Sequence, residues 1–562
     1  MKSLPTSAFF ALVLSLASAL CPSSIQAQSA QLIRTHSSPA ERDFGNDIAK
    51  IGDLDGDGRP DYAIGAPDLG TFGLDGAVYT YSGTTGVLLR TFRPPVANRE
   101  ALFGASVAGV GDLSGDGVPD LLIGEPDLDG ATGEKGMAYL YDGATAAVLR
   151  TFNPPSTATS GDFGAEVADA GDVSGDGVSD FLIGATDAKG FVGQAFLYNG
   201  ATGALLKTFD SPTPRNGGNF GRALAGVEDA NGDGVRDVLV GAPNEGNTSF
   251  AGFGNVHLFS GASGALIRTI KSPMPSDTGR FGQSIDATAD FTGDGRRDAL
   301  IGEPNGGPNQ PGKVYLYDIA ANTFPVTFNP PPDTSGEVVG TFGESVAAMA
   351  DLTGDGVPEV VIGDPGFTDT NFAPPLTSGR VHVSNGATGV ELFHFRSPQE
   401  QGFGEFGAAV ADIGDIDADG DTDFAVGAPG EVNGRVYVYA AIPGGVVMPA
   451  VTVAIQPLAP PVVIPPAGGS FQFTATFNNS TSSSQTFDFW TVISGPLNRD
   501  PALRPRAITL SPGGSLTRTY RQRIPRSYPS GSYNYTGNVG TFGGTVTDSD
   551  SFTFEKQAAT TR

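Results

Sequence analysis

Short runs of alternating apolar and polar residues, separated by glycine-rich turns, extend along most of this chain. In each unit of about sixty residues, an alternating run such as SVAGVGD is followed by a short apolar run such as LLIGEP, and hairpin patterns such as VYTYSGTTGVLLRTF also recur. Alternation with a period of two predicts β-strands, and small turn residues between such runs predict hairpins. The pattern therefore predicts four strands per unit and an all-β protein.

The unit occurs seven times. An acidic nine-residue segment between its first two strands begins at Asp53, Asp112, Asp172, Asp229, Asp290, Asp351 and Asp415, with successive starts 57 to 64 residues apart. A repeat of this length built from short strands is typical of a propeller blade. The seventh unit ends at GRVYVYAAIPGG without a fourth strand, whereas QLIRTH at residues 31–36 carries the missing pattern. We therefore predict a seven-bladed β-propeller that the N-terminal strand closes, which removes two free sheet edges.

The acidic segments are candidate metal sites. In DLDGDGRPD, Asp53, Asp55, Asp57 and Asp61 occupy positions 1, 3, 5 and 9, and the carbonyl of Arg59 at position 7 can add a fifth oxygen. Such a crowd of like charges calls for a cation, and calcium prefers an all-oxygen, carboxylate-rich cage. An Asx turn with solvated acids explains one such segment equally well. Repetition in all seven units favours calcium.

The motifs together resemble the FG-GAP repeats of the integrin α-chain propeller and of related bacterial secreted proteins. The resemblance rests on the Phe-Gly openings (Phe103-Gly104), the acidic segments and turns such as AIGAP, and it covers residues 29–445. It implies a calcium ion between the first two strands of a blade and ligand binding on the opposite face. Up to seven calcium ions are expected, on Asp53, Asp55, Asp57, Arg59, Asp61, Asp112, Ser114, Asp116, Val118, Asp120, Asp172, Ser174, Asp176, Val178, Asp180, Asp229, Asn231, Asp233, Val235, Asp237, Asp290, Thr292, Asp294, Arg296, Asp298, Asp351, Thr353, Asp355, Val357, Glu359, Asp415, Asp417, Asp419, Asp421 and Asp423.

This chain also departs from the family pattern. Integrin α chains carry calcium loops in some blades, whereas all seven units here have one, and the chain shows no inserted domain. Because the number of acids tunes affinity, we expect the first and seventh sites to fill at the lowest calcium concentration.

The charge balance agrees with a metal requirement. The 562 residues include 61 Asp and Glu against 33 Lys and Arg, for a formal charge of −28, and the seven segments hold 24 of the acids. An acidic chain of this kind argues against nucleic acid as a partner. From residue 451 onward the balance reverses to about +4. The arginines there either dock on an acidic surface or form solvated strand faces: Arg504, Arg506, Arg518, Arg521, Arg523 and Arg526.

The sequence predicts four regions. Residues 1–27 have the pattern of a secretory signal peptide, with an apolar stretch too short for a transmembrane span. The propeller occupies residues 28–445. Residues 446–469 form a Pro-rich linker in which VTVAIQ is a candidate for one strand, and residues 470–562 alternate like a β-sandwich that resembles the immunoglobulin-like modules of bacterial surface proteins. We therefore expect a secreted or cell-surface location.

The leading function is a calcium-binding recognition or adhesion protein, expected to be a monomer that binds an extracellular protein or glycan through its variable face. Candidate contacts on that face are Phe72, Phe250, Phe253, Phe367 and Phe372. A passive architectural protein and a glycan-acting enzyme or carbohydrate-binding module remain alternatives. No catalytic residue is predicted, since G-x-S-x-G and H-E-x-x-H are absent from the sequence and His257 and His382 fall where other units have Tyr, as packing residues.

Overall fold

The structure is a computed structural model dominated by short β-strands. It describes residues 30–38, 42–68, 75–96, 101–126, 135–155, 161–246, 253–276, 278–305, 312–331, 340–369, 376–399, 401–441, 451–458, 462–479, 484–494, 500–511, 514–540 and 546–558. The predicted signal peptide lies outside the described residues. The predicted all-β class is confirmed.

Thirty strands make up the first part of the described chain. In chain order they are β1 (Ala30–Ser37), β2 (Ile48–Gly52), β3 (Asp61–Ala66), β4 (Ala77–Tyr81), β5 (Leu88–Phe92), β6 (Val107–Gly109), β7 (Leu121–Glu125), β8 (Met137–Tyr141), β9 (Val148–Phe152), β10 (Phe163–Gly171), β11 (Asp180–Ala185), β12 (Gln194–Tyr198), β13 (Leu205–Asp210), β14 (Leu224–Val227), β15 (Asp237–Ala242), β16 (Asn255–Phe259), β17 (Leu266–Lys271), β18 (Ile285–Asp286), β19 (Ala299–Glu303), β20 (Lys313–Asp318), β21 (Thr323–Phe328), β22 (Ser345–Ala348), β23 (Val360–Asp364), β24 (Thr368–Asp369), β25 (Leu376–Thr377), β26 (Arg380–Ser384), β27 (Glu391–Phe395), β28 (Val410–Gly414), β29 (Asp423–Ala428) and β30 (Arg435–Ala441). A helical turn, α1 (Ala188–Phe191), lies between β11 and β12.

These strands form four-stranded antiparallel sheets. Sheets 1 to 5 are β2–β5, β6–β9, β10–β13, β14–β17 and β18–β21; sheet 6 has the order β22-β23-β26-β27, and sheet 7 the order β28-β29-β30-β1. A small hairpin, β24-β25, projects from sheet 6. This architecture is consistent with a β-propeller.

Glycines determine how closely neighbouring sheets pack. A Cβ on Gly65 in the second strand of sheet 1 would lie 2.2 Å from the carbonyl oxygen of Gly104, which follows the opening Phe of sheet 2. Gly427 of sheet 7 would meet Gly45 of sheet 1 in the same way, at 2.1 Å. No side chain fits at such distances, so the glycines of the Phe-Gly and apolar-run motifs are required by backbone approach. Sheet 7 therefore contacts sheet 1 as sheet 1 contacts sheet 2.

The core lies between the sheets. The second and third strands of each sheet are almost wholly buried, as in β3 and β4, whereas the outer strand β5 is partly exposed. Both faces of an inner strand contact a neighbouring sheet, which explains why these strands are continuous apolar runs rather than alternating ones. Phe44, Tyr62 and Tyr79 of sheet 1 share one buried cluster with Val436 and Val438 of sheet 7.

Strand β1 supplies the outer strand of sheet 7. It pairs with β30 in antiparallel register from Ala30 opposite Ala441 to Ser37 opposite Arg435. It also reaches sheet 1, because His36 Nε2 lies 2.8 Å from the hydroxyl of Tyr62. Burial, and then the charge of nearby Arg34, lower the pKa of His36 to about 4, so its ring is neutral at physiological pH.

The remaining strands form two sheets. They are β31 (Val451–Pro457), β32 (Val462–Ile464), β33 (Gly469–Asn479), β34 (Gln485–Ser494), β35 (Asp500–Leu510), β36 (Ser515–Ile524), β37 (Gly531–Gly540) and β38 (Val546–Lys556). One sheet has the order β31-β33-β36 and the other β32-β38-β37-β34-β35. Phe473 and Phe477 of the first share a buried cluster with Phe489 and Tyr535 of the second.

The stretch predicted as a Pro-rich linker, residues 446–469, contains two of these strands. β31 pairs with β33, and β32 pairs in parallel with β38. Val451, Val453 and Ile455 alternate along β31 and are buried in the shared cluster, so apolar alternation outweighs the nearby prolines. The C-terminal sheets therefore begin earlier in the chain than composition suggests.

The part of the chain that the structure describes contains no helix with the length and apolar character that a membrane span requires.

Glu303 at the end of β19 provides a test of the core. Its side chain is fully buried, Ser272 donates a 2.8 Å hydrogen bond to Oε2, and burial raises its pKa to about 7. Because the pKa of Glu303 is higher in the folded than in the unfolded chain, its contribution to stability is fully present below the unfolded-state pKa. That contribution is lost as pH rises through the folded-state pKa of about 7. We expect Glu303→Gln to raise the free energy of unfolding by about 1–3 kcal/mol at pH 8 and by little at pH 5, measured by thermal melting. An equal effect at both pH values would contradict the assignment.

Candidate metal centre

The seven acidic segments all join the first and second strands of their sheets. They are named loops 1 to 7 by sheet and comprise residues 53–61, 112–120, 172–180, 229–237, 290–298, 351–359 and 415–423. Since every sheet begins at the Phe-Gly end, the first antiparallel turn of each lies at the other end. The loops therefore share one end of the assembly of sheets.

The aspartate at position 1 organises each loop. Asp112 Oδ1 accepts a hydrogen bond from the backbone N–H of Gly115 at 2.6 Å, and Oδ2 accepts one from Gly117 at 2.8 Å. Asp229 makes the same contacts in loop 4, and these N–H donors lower its pKa. The glycines of loop 1 have φ angles of 80° and 88°, in the region that favours glycine. The carboxylate at position 1 thus fixes the backbone of the loop by accepting hydrogen bonds from its N–H groups.

Loop 7 differs at one of these positions. Ala418 stands where the other loops have glycine, and its φ is 74°. Its N–H donates to Asp415 Oδ1 at 2.7 Å, as the glycine does elsewhere. An alanine in this region costs roughly 1–2 kcal/mol, and the hydrogen bond to Asp415, at about 0.5–1.5 kcal/mol, offsets much of that cost.

Carboxylate oxygens of different loop positions converge inside loops 1 and 7. One carboxylate oxygen from each of Asp53, Asp55 and Asp57 (positions 1, 3 and 5) lies within 4.8 Å of the others, and the same holds for Asp415, Asp417 and Asp423 (positions 1, 3 and 9). Two separate triplets with this spacing could each surround one ion. Predicted ligands of loops 1 and 7 are therefore brought together by the fold.

In loop 6, oxygens of three loop residues converge on the side-chain amide of Asn385. Asn385 Nδ2 lies 3.3 Å from Thr353 Oγ1, 2.8 Å from Asp355 Oδ2 and 3.4 Å from Glu359 Oε1. Its Oδ1 accepts from the N–H and hydroxyl of Thr388, which fixes the direction of the amide. Positions 3, 5 and 9 thus direct their oxygens at one electropositive group.

The carboxylate at position 9 joins its loop to a hairpin of the same sheet. Asp120 is fully buried, and its Oδ2 accepts from the N–H of Leu113 at 2.8 Å while Oδ1 accepts from Gly143 at 2.9 Å. Position 9 is equivalent in the other sheets, at Asp61, Asp180, Asp237, Asp298, Glu359 and Asp423. In sheets 1 to 4 this residue accepts a hydrogen bond from a glycine N–H of the turn between the third and fourth strands, and in sheet 6 Glu359 accepts one from Asn385 at the same turn.

Burial dominates the titration of position 9. It raises the pKa of Asp61 and Asp298 to about 6, and that of Glu359 and Asp423 to about 7, despite the N–H donors. Charges of neighbouring loop aspartates add to the rise for Asp61. The ionised form is therefore under-compensated, and a cation at the loop would offset that deficit.

The donor set fits a hard cation. Every predicted side-chain ligand carries an oxygen atom, and each loop contains three or more carboxylates. Oxygen-rich, carboxylate-rich sites suit calcium, whereas softer metals select nitrogen or sulfur. The residues present thus fit the ion that the sequence predicts.

Position 7 connects neighbouring loops where it is arginine. Arg59 of loop 1 donates to the carbonyl oxygen of Asp415 in loop 7 at 3.1 Å and lies 3.3 Å from its Oδ1. Arg296 of loop 5 donates to the carbonyl oxygen of Asp229 in loop 4 at 3.0 Å. The arginine side chains therefore link loops of adjacent sheets. Asp421, at position 7 of loop 7, is half-buried, and burial followed by the charges of Asp419, Asp351, Asp415 and Asp417 raises its pKa.

One residue at the end of the third strand in each of sheets 1 to 6 was not predicted from the sequence as a neighbour of its loop. The residue after the third strand approaches the loop in loops 3, 4 and 6, where Asn199 donates to Asp176 Oδ2 at 2.6 Å and Ser260 to Asp233 Oδ2 at 3.2 Å. The corresponding residues are Ser82, Asp142, Asn199, Ser260, Asp318 and Asn385. Asp142 and Asp318 add a negative charge, which helps to raise the pKa of Asp120 and Asp298. Their signal in five of the six turns was a small polar residue directly before Gly; Asp318 is followed by Ile319 instead.

A cavity occupies the end opposite the loops. Its volume is about 600 Å³, and it is lined near the start of the innermost strands by Asn46, Asp47, Glu166, Arg222, Gln283 and Glu344. Gln283 donates to Glu344 at 2.7 Å, and Arg222 lies 3.9 Å from Glu166. The cavity is thus polar and bears both charges.

The predicted aromatic contacts are placed differently. Phe367 is only 8% exposed, with the guanidinium of Arg380 at 3.9 Å from its ring centroid. It is therefore a packing residue, because the cation covers the ring face, and its prediction as a surface anchor was wrong. Phe253 is half-buried, and Phe72, Phe250 and Phe372 lie outside the described residues.

Comparisons with known proteins agree with the repeat pattern. The FG-GAP repeat family profile matches residues 103–141, 220–259, 281–317 and 406–439, which cover the first three strands of sheets 2, 4, 5 and 7. Four FG-GAP repeats are therefore present.

Curated relatives are integrin α chains. Integrin alpha pat-2 of Caenorhabditis briggsae is 30% identical over 236 residues, 39% of this chain and 19% of that protein. Integrin alpha-8 of Gallus gallus is 33% identical over 176 residues (30% and 16%), and integrin alpha-PS2 of Drosophila melanogaster 32% over 204 residues (34% and 14%). The chain thus spans less than a fifth of the length of these relatives.

Loop stoichiometry gives a direct test of the ligands. Asp57→Asn and Asp419→Asn, both at position 5, are each expected to lower the calcium bound per chain by one, because a central carboxylate is lost. Equilibrium dialysis at saturating calcium measures the count. Asp210→Asn, an exposed acid outside the loops, serves as the control. Unchanged stoichiometry in both loop variants would refute the ligand assignment.

The hairpin residue can be tested by exchange between sheets. Asp142→Asn is expected to weaken one calcium site and Asn199→Asp to strengthen one, each about tenfold, since a unit charge about 6 Å from a divalent ion contributes about 1.4 kcal/mol in water. Calcium titration calorimetry resolves the shifts. Weaker calcium binding by Asp142→Asn together with stronger binding by Asn199→Asp would show an effect of charge rather than a general loss of structure. Weaker binding by both variants would exclude an effect of charge.

Proposed function

We propose that this protein is a secreted, calcium-dependent recognition protein built on a seven-bladed β-propeller. The observation that carries the proposal is the sevenfold repetition of one acidic loop at one end of the sheets, with a polar cavity at the other end. The matched FG-GAP repeats and the similarity to integrin α chains support it. The pairing of β1 with β30 supports closure of the ring.

Calcium has a structural role in this proposal. The residues at positions 1, 3, 5, 7 and 9 hold the ion, which supplies positive charge to carboxylates that otherwise repel one another. Position 1 keeps the backbone turn, and position 9 transmits the order of the loop to the hairpin, as Asp120 does through Gly143. Filled loops thus stabilise every blade from the same end.

Recognition is assigned to the opposite end. Each first strand begins there and each second strand ends there, and residues near the starts of the first strands line the cavity. Connecting segments on a rigid scaffold commonly carry binding residues. Glu166, Glu344 and Arg222 offer charged hydrogen-bonding groups that suit a protein or glycan surface.

The two C-terminal sheets are proposed to form an immunoglobulin-like sandwich that accompanies the propeller. Arg518, Arg521 and Arg523 of β36 are exposed, as are Arg506 and Arg526. β36 is an edge strand of its sheet, and charged side chains on an edge oppose pairing with other chains. Solvated strand faces are therefore the role assigned to these arginines.

A binding array tests the proposed function. Purified residues 28–562 are applied to arrays of glycans and extracellular-matrix proteins with calcium or with a chelator. Saturable, calcium-dependent binding is the expected result, and Glu344→Gln is expected to weaken it while leaving calcium stoichiometry unchanged. Asp210→Asn is the matched control. A blank array from a folded, calcium-loaded chain would favour an architectural role, and glycan turnover would favour an enzyme.

A further inference from the structure

Two histidines and a glutamate meet on the outer half of sheet 6. His382 of β26 lies directly opposite His394 of β27, and Glu391 stands at the start of β27. Glu391 Oε1 is 2.7 Å from His382 Nδ1 and 2.9 Å from His394 Nδ1. Ligand atoms of the three residues all lie within 4.8 Å of one another. One carboxylate oxygen therefore joins two imidazoles.

This arrangement is particular to sheet 6 among the described sheets. Threonine faces the third strand at the equivalent position of the other six, in the pairs Tyr79 and Thr91, Tyr139 and Thr151, Phe196 and Thr208, His257 and Thr269, Tyr315 and Thr327, and Tyr437 and Thr35. The place of Glu391 is apolar in sheets 1 to 4, at Leu88, Val148, Leu205 and Leu266. His394 and Glu391 thus both replace the residues that the repeat otherwise uses, in one sheet and beside one buried histidine.

Two imidazole N–H groups point at one oxygen of Glu391 and bring their partial positive charges to the centre of the cluster. An ionised carboxylate only accepts, so each Nδ1 carries a hydrogen to make these contacts. The two Nδ1 hydrogens therefore occupy the place beside the Glu391 oxygen that a cation would take.

The far side of His382 is prepared for the alternative tautomer. His382 is fully buried, and its Nε2 has no hydrogen-bond partner among the described residues. Asp364 Oδ2 lies 3.7 Å from this Nε2 and 3.5 Å from Arg380 Nη2. When Nδ1 is deprotonated to bind a metal, the hydrogen moves to Nε2 and faces Asp364. Metal-bound histidines commonly present the other N–H to a carboxylate in this way.

We propose that His382, Glu391 and His394 bind one transition metal ion of the zinc class, separately from the calcium loops. Two imidazole nitrogens and one carboxylate oxygen suit zinc and its neighbours, whereas calcium prefers oxygen alone. The side chain of His394 is 37% exposed, which gives the ion a path from solvent. The structure thus assigns His382 a ligand role beyond the packing predicted from the sequence.

Cobalt provides the probe, because Co²⁺ replaces zinc and its visible absorption reports coordination by nitrogen. Residues 28–562, first saturated with calcium to fill the loops, are titrated with Co²⁺ and then with Zn²⁺. The expected result is one equivalent of cobalt with a visible band that one equivalent of zinc abolishes. Melting curves recorded without transition metal show that each variant is folded.

Matched variants locate the site. His394→Thr introduces the residue found in the other six sheets, and we expect it to weaken cobalt binding at least tenfold, a loss of the size seen around metal centres. His257→Tyr, the residue of sheets 1, 2, 5 and 7 at that position, is expected to leave the band unchanged. Absence of a band, a band that persists in folded His394→Thr, or cobalt that calcium displaces would overturn the proposal. The calcium proposal is unaffected by any of these outcomes.

Discussion

Chelation of calcium is expected to unfold the seven-sheet part of this protein at temperatures at which the loaded form is stable. At tenfold excess over its dissociation constant, each independent site contributes about 1.4 kcal/mol, so seven sites contribute on the order of 10 kcal/mol. Domains are stable by roughly 5–15 kcal/mol in total. Differential scanning calorimetry with calcium and with chelator measures the loss.

The pH dependence of this effect provides its internal control. The position-9 carboxylates have raised pKa values of about 6 to 7, at Asp61, Asp298, Glu359 and Asp423. In the absence of metal, these carboxyl groups contribute to the free energy of unfolding below their unfolded-state pKa values, and the contribution is lost as pH rises through 6 to 7. The chelator should therefore lower the melting temperature most at pH 8 and least at pH 5. An unchanged melting temperature at pH 8 would show that the loops need no ion.

Deletion of β1 is expected to have the second largest effect. Removing residues 28–37 strips β30 of its partner over seven register pairs and removes the contact between His36 and Tyr62. At about 0.5–1.5 kcal/mol for each hydrogen bond, the ladder alone contributes on the order of 5 kcal/mol. We expect a marked fall in melting temperature, and association of the truncated chains through the exposed edge of β30 in size-exclusion chromatography.

A peptide added in trans makes the deletion test specific. A synthetic peptide of residues 28–38 should raise the melting temperature of the truncated chain in a concentration-dependent way, because it binds the folded form alone. A peptide with Leu32 and Arg34 exchanged is the control for composition. If the truncated chain melts like the parent, β1 does not hold the assembly together.

Local sequence was sufficient for the strands and for the loops. Alternation and turn chemistry predicted four strands per unit, and sheets of four strands are present throughout the described repeats. The acids of DLDGDGRPD were assigned as ligands from spacing alone, and Asp53, Asp55 and Asp57 do lie together. Both features depend on residues close in the chain, where period and spacing determine geometry.

Contacts between residues distant in the chain were harder to predict from the sequence. Asp142 and Asn199 act on loops more than twenty residues earlier, and only the return of the third strand brings them there. Phe367 reads as a surface aromatic because it follows a turn, yet Arg380 covers it from β26. Within residues 446–469, the run VTVAIQ was predicted as a possible strand and is β31, whereas β32 among the prolines was missed because its partner β38 comes later in the chain.

The sequence by itself determined the all-β class, the period of the repeat and the acidic loops, because each follows from the order of neighbouring residues. Tertiary structure alone decided which residues meet across sheets: Gly427 against Gly45, Arg59 against Asp415, and His382 beside His394 and Glu391. Such contacts depend on strand register and sheet packing, and a register slip of one residue would turn His394 to the other face of its strand. Groups of functional residues within one loop can thus be predicted from the sequence, whereas groups formed between strands can be identified only from the tertiary structure.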